Sequence, residues 1–268
     1  MNEKRYPDPL EALLILLLSF IGLFIISELL SAVLDLRNSD PDTTNKQLRY
    51  FFLFGTTLFF IVPYIYARVK NYDTISLFRL RMVPLSVIIL SFIGGIALSI
   101  LIDEVDRIIG MLLPMPDWIE EMMQPLVVES TSDWILAISG VVLAAGFAEE
   151  SLFRGFIQVS LEERGDVTKA VLFSAGTWAL IHIVPYWAIQ IFIIGMVFGF
   201  LSWRTGSIIP SAIMHALYNL IALVYVNLEL HDKMSWYFWG DHVSPVMLVI
   251  AAGLFYYSMR QIILIYRS

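Results

Sequence analysis

The sequence contains no cysteine, which excludes disulfides, thiol nucleophiles, iron–sulfur clusters and thiolate zinc sites. Charge is scarce as well: Asp, Glu, Lys and Arg make up 15% of the 268 residues, against roughly 25% in an ordinary soluble domain. There is no basic excess, since the net charge is −7, so a broad positive face is absent and no nucleic-acid partner is expected. Nor does any internal repeat, low-complexity tract or shift of composition mark a boundary, and residues 1–268 read as a single membrane domain. What the chain has in abundance is hydrophobic residues, 58% of the total, with a mean hydropathy of +0.75. That leaves too little polar surface to cover a core in water. A soluble enzyme is excluded, and the solvent for most of this chain is lipid.

A bilayer core about 30 Å thick needs about 20 apolar residues of helix. Eight stretches qualify, at 10–34, 48–67, 84–102, 134–157, 167–183, 187–203, 208–228 and 243–265. The fold expected is therefore all-α and polytopic, with about eight transmembrane helices and an active site in a cavity within the bundle. The first stretch follows Lys4 and Arg5 as a signal peptide would, but its apolar run exceeds the roughly 7–15 residues of such a peptide. It reads as a retained helix. Twelve basic residues, Arg68, Lys70, Arg79, Arg81, Arg164 and Lys169 among them, fall at the ends shared with the N-terminus. Five fall at the opposite ends: Arg37, Lys46, Arg49, Arg107 and Lys233. By the positive-inside rule both termini are cytoplasmic. The segment after the third stretch is acidic, with Asp103, Glu104, Asp106, Asp117, Glu120, Glu121 and Glu129, and reads as an outer loop. Within it Trp118, Met122 and Met123 look interfacial. Gly94 with Gly95, and Gly195 with Gly199, allow helices to approach closely.

Ionisable side chains inside a span are costly, so each is a site candidate. They gather in the second half: Glu149, Glu150 and Arg154 on the fourth stretch, His182 on the fifth, and His215 with Asn219 on the seventh. Glu150 and Arg154 are four apart with the acid first, the favourable order for an ion pair, and read as structural. Glu149 projects about 100° away around the helix, and a carboxyl group in apolar surroundings there suits a general base or a proton relay. Pinning the helix to a neighbour is the competing reading of both glutamates. His182 shares a helix face with Trp178, and His215 with Asn219, whereas His231 and His242 lie in the last outer loop. Two histidines, a carboxylate and an amide can activate a water and stabilise an oxyanion. They also make up a two-histidine, one-carboxylate zinc set, although the compact H-E-x-x-H motif is missing and no further acid is evident to orient each histidine. Ser151, Ser174 and Ser211 lie nearby, none of them in a G-x-S-x-G turn.

In order, these residues spell Glu149-Glu150-Ser151-Leu152-Phe153-Arg154, Trp178-Ala179-Leu180-Ile181-His182 and His215-Ala216-Leu217-Tyr218-Asn219. Together they resemble the EExxxR, FxxxH and HxxxN/D motifs of the CPBP (Abi) intramembrane proteases, a family of type II CAAX prenyl endopeptidases and bacteriocin-processing or immunity proteins. The resemblance covers roughly 137–228, the expected catalytic core. It implies that Glu149 activates water, that His182 holds and polarises that water, and that His215 and Asn219 stabilise the oxyanion. Glu150 and Arg154 become the supporting pair, and no cofactor is implied. Trp178 stands where the family usually has Phe, which keeps an aromatic wall and narrows the substrate groove. One mismatch accompanies this picture. The span boundaries put His182 nearer the outer face than Glu149 and His215, unless the fifth stretch starts deeper or ends within the membrane at Pro185.

The expected function is an intramembrane endopeptidase acting, without a covalent intermediate, on membrane-embedded or membrane-associated peptides or proteins. A non-catalytic scaffold or immunity factor of the same fold is the alternative, and the complete set Glu149, His182, His215 and Asn219 argues against it. A proton-coupled transporter also uses intramembrane acids and histidines, but no paired discontinuous helices in two matching halves support it. So compact a chain looks like a bacterial relative, resident in the cell membrane.

Overall fold

The computed structural model describes residues 6–33, 41–228 and 234–267. Lys4, Arg5, Arg37, His231 and Lys233 lie outside the described residues, as do the side chains of Lys46, Glu120 and Glu121. The helices are α1 (Pro9–Val33), α2 (Pro41–Val69), α3 (Thr74–Leu77), α4 (Leu85–Leu112), α5 (Asp117–Met123), α6 (Thr131–Glu162), α7 (Val167–Ile181), α8 (Ala188–Thr205), α9 (Ile209–Leu228) and α10 (Pro245–Ile265). A two-residue antiparallel ribbon pairs β1 (Phe238–Trp239) with β2 (His242–Val243). Among the described residues seven helices are long and apolar enough to cross a bilayer, and the chain is an all-α polytopic membrane protein.

The expectation of eight spans is corrected at 167–183. There α7 has 15 residues, about 22 Å of helix, short of the bilayer core. Three features stop it. The Trp178 carbonyl, left over at the helix end, accepts from Nδ1 of His182 at 2.7 Å. Ile183 takes a left-handed backbone with φ 56, a position where helices usually place glycine. Pro185, which has no N–H to continue the ladder, then opens a 3-10 turn over Pro185–Trp187 that leads into α8. The third stretch errs the other way, since α4 continues to Leu112 because its charges are satisfied in place. Asp103 pairs with Arg107 at 3.3 Å and accepts from the Tyr237 hydroxyl at 2.8 Å. Glu104 meets Nδ1 of His242 at 2.7 Å and the Val243 N–H at 2.8 Å, while Asp106 accepts from Gln190 at 2.8 Å. Residues 103–106 are thus helix, not loop.

Polar contacts tie each end of the bundle. At one end Asp8 pairs with Arg164 and Arg79 with Glu162, and Arg204 donates to the Ile263 carbonyl at 3.1 Å. Tyr72 donates to Glu11 at 3.2 Å there. Burial, and then that carboxylate, push the Tyr72 phenol up to about 12, so it stays a neutral donor at physiological pH. At the other end Arg49 pairs with Asp133 at 2.8 Å and donates to the Val127 carbonyl. Asn227 also bridges the Leu126 carbonyl and the Val128 N–H, at 2.9 and 2.7 Å. In α5, Ile119 is fully buried against Val184 and Tyr186, while Trp118 and Met122 are about half exposed.

Helix α6 runs through the middle, packed on α1, α2, α7, α8 and α9. It is not uniformly α-helical. Two π-helical segments, Ile138–Ala144 and Ser151–Ile157, flank the α-helical turn Ala145–Glu150. Such wide turns disturb the backbone ladder and concentrate at functional sites, and in lipid the carbonyls they disturb need partners. Other elements supply them: Asn219 donates to Val141 at 2.8 Å, Ser174 to Phe153 at 2.8 Å and Arg79 to Arg154 at 3.1 Å. Close approach is part of the same design. A Cβ on Gly155 would stand 2.9 Å from the Phe78 Cα, so the buried connection carrying Phe78 and Arg79 presses directly on the second π segment.

Candidate active site

Glu149 and Glu150 occupy the α-helical turn between the two π segments, so they point to different neighbours. Glu150 is wholly buried and pairs with Nη1 of Arg154 at 3.0 Å; Arg154 is itself fully buried and reaches the Gly195 carbonyl at 3.4 Å. Glu149 is half-buried and turns to α7, where its Oε2 accepts from the Trp178 indole N–H at 2.7 Å.

Trp178 is the centre of the site. Its ring lies 5.1 Å from the His182 ring and 5.3 Å from the His215 ring, both edge-on, with the Arg154 guanidinium 4.3 Å over its face. Phe198 completes the wall, stacked on His215 at 5.6 Å. The rings meet although the span boundaries set His182 apart in depth. His182 does sit a turn beyond Trp178, but its side chain bends back to the Trp178 carbonyl and brings the ring to the cluster.

The histidines are oriented by partners that hydropathy and spacing did not reveal. A carbonyl can only accept, so His182 donates from Nδ1 to Trp178. Glu150, ionised beside Arg154, also accepts, and Nδ1 of His215 donates to it at 3.2 Å. The partner on one ring nitrogen fixes the role of the other, so Nε2 is the nitrogen each histidine has left for chemistry. Glu150 is the orienting acid missing from the sequence reading. Even so, among the described residues no three His, Asp or Glu side chains converge as a metal-binding set. Asn219, one turn beyond His215 on α9, uses one amide hydrogen on the Val141 carbonyl and keeps the other available. The three serines are occupied: Ser151 donates to Phe147, Ser174 to Phe153 and Ser211 to Ile208, at 2.7, 2.8 and 3.0 Å.

Phe198 and Arg79 were not legible as parts of this site. The nearest sequence signal was the glycine pair around Phe198. Gly195 explains the fit, because a Cβ there would lie 3.0 Å from the Ala175 Cβ and 3.1 Å from both the Ala175 Cα and the Trp178 Cε3. Gly195→Ala is therefore expected to destabilise the protein by about 1–3 kcal/mol through overpacking. It should also lower activity by shifting the indole, and a thermal melt beside an activity assay checks both.

No curated protein and no solved structure matches the chain. Residues 131–221, which carry Glu149, Glu150, Arg154, Trp178, His182, His215 and Asn219, match the family model of the Rce1-like type II CAAX prenyl endopeptidases.

Proposed function

We propose that the protein is an intramembrane endopeptidase that hydrolyses peptide bonds of membrane-associated or lipidated peptides or proteins with a water activated by Glu149. The observation that carries this reading is the gathering of Glu149, His182 and His215 around Trp178 inside the segment that matches a protease family. Glu149 takes a proton from the water as its oxygen bonds to the scissile carbonyl carbon, and Nε2 of His182 accepts the water's second hydrogen bond. The oxyanion that forms is stabilised by the free amide hydrogen of Asn219 and by His215. That role needs His215 in its doubly protonated form, whose charge Glu150 balances from behind. When the C–N bond breaks, Glu149 returns its proton to the leaving amine. Comparing the membrane proteomes of cells that carry the protein or its Glu149→Gln variant tests the reading. Peptides or proteins that persist uncleaved only with the variant support it, and identical proteomes overturn it.

The orientation proposed for this activity is a bacterial cell membrane with both termini cytoplasmic, supported by the distribution of basic residues. A chain without cysteine suits labelling of single engineered thiols. Asp117→Cys should react with an impermeant reagent from outside, while Asp73→Cys and Arg164→Cys should not. Strong outside labelling at 73 would reverse the orientation.

A further inference from the structure

We infer that the indole N–H of Trp178 is a positioning donor that fixes which oxygen of Glu149 meets the water; this rests on the reading of Glu149 as the base. The bond from Nε1 to Glu149 Oε2 is 2.7 Å, at the short limit for an N–H donor and typical of one aimed at a charged acceptor. A carboxylate with one oxygen tied in this way presents the other, Oε1, to the water, where an untied group would rotate between equivalent poses and lose orientation.

The indole is able to impose that choice because it cannot move. Trp178 is 3% exposed. His182 and His215 meet its ring at 88° and 72°, and α8 presses on it at Gly195. Arg154 lies over its face, held by Glu150. A cation on the face of an aromatic ring draws electron density from it, which makes the N–H a stronger donor. The buried Glu150–Arg154 pair thus acts on Glu149 through the ring, although Glu149 and Arg154 are not themselves paired. A phenylalanine at this position keeps the packing and lacks only the donor.

Two measurements on the full chain in nanodiscs test the inference. In the first, protein with 15N-labelled indole nitrogens is compared with its Glu149→Gln form, the Trp178 signal being assigned by its loss in Trp178→Phe. The Trp178 indole proton is expected downfield of an ordinary indole and should move upfield when the charged acceptor is replaced. A resonance indifferent to Glu149→Gln overturns the inference whatever the cleavage data say. In the second, Trp178→Phe is assayed on resynthesised peptides that persist in Glu149→Gln membranes. Loss of one hydrogen bond to a charged group predicts a kcat lower by about 10- to 100-fold with KM little changed. Wild-type kcat in Trp178→Phe, with Glu149→Gln inactive, overturns the positioning role and leaves the protease reading standing. A lower melting temperature with unchanged kcat per folded molecule also overturns it, by making Trp178 merely structural. Full turnover in Glu149→Gln sinks the protease reading instead, and the indole shift then reports only a bond.

Discussion

Glu149→Gln is expected to fold as the wild type does and to lose about 10²–10⁴-fold in turnover, the usual worth of a general base. The fold survives because Glu149 is only half-buried and the glutamine carbonyl still accepts the Trp178 N–H. Chemistry fails because an amide cannot take a proton from water. Melting temperature and cleavage rate measured on the same preparation separate the two. Metal analysis belongs to the same experiment. Glu150 behind His215 is the kind of outer partner that a zinc ligand takes, yet no metal-binding set converges among the described residues, and substoichiometric zinc with chelator-resistant cleavage is the expected result. Stoichiometric zinc that disappears in Glu149→Gln or His215→Ala, with cleavage that stops on chelation, would replace the glutamate mechanism with a metalloprotease one. A Glu149→Gln protein with undiminished biological activity would favour the scaffold.

Arg154→Ala is expected to cost roughly 3–5 kcal/mol of stability, because removing one member of a buried pair strands the other charge. Arg154 is fully buried and joins Glu150, the Gly195 carbonyl and the faces of Trp178 and Phe198, the last at 5.5 Å. Its loss leaves Glu150 with His215 as its facing partner. The yield of folded protein in detergent and its melting temperature should both fall. Arg154→Lys should fall between, since an ammonium cannot bridge a carboxylate while lying flat on a ring. A fully stable Arg154→Ala protein would mean that the pair contributes nothing to the fold.

Much of this architecture was legible because lipid makes hydropathy a direct signal. Seven of the eight apolar stretches are spanning helices, most of them within a few residues of the expected ends. The failures have physical causes. The stretch at 167–183 is apolar enough to read as a span, and what ends α7 is a histidine side chain closing on its own helix with a left-handed isoleucine after it. Neither leaves a mark in a hydropathy pattern. The charges at 103–107 read as a loop because their partners, Tyr237, His242, Val243 and Gln190, lie 84 or more residues away in sequence. In the site, spacing on single helices suggested the pair Glu150–Arg154 and the shared face of Trp178 and His182. The contacts between helices that arrange the cluster, His215 on Glu150 and Trp178 on Glu149, depend on how α6, α7 and α9 cross, and no one helix carries that information.

The two π segments of α6 have a consequence for how its residues are counted. A π turn holds about one residue more than the α turn it replaces, so each segment works as an angular adapter between stretches of ordinary helix. One lies between Asp133, keyed to Arg49 on α2, and Glu149, keyed to Trp178 on α7; the other follows Glu150 and contains Arg154. A helical wheel drawn from Thr131 to Glu162 at a constant 100° per residue therefore misplaces one end of α6 relative to the other. Removing a single residue from Ile138–Ala144 would let the segment revert to a plain α ladder with Asp133 and Glu149 on nearly unchanged azimuths, whereas a deletion that kept the wide turn would swing one against the other by about 100°, so that the clamp on α2 and the bond to the indole could not both be kept. A related helix one residue shorter in this region can hold its glutamate on the same azimuth only by giving up the wide turn.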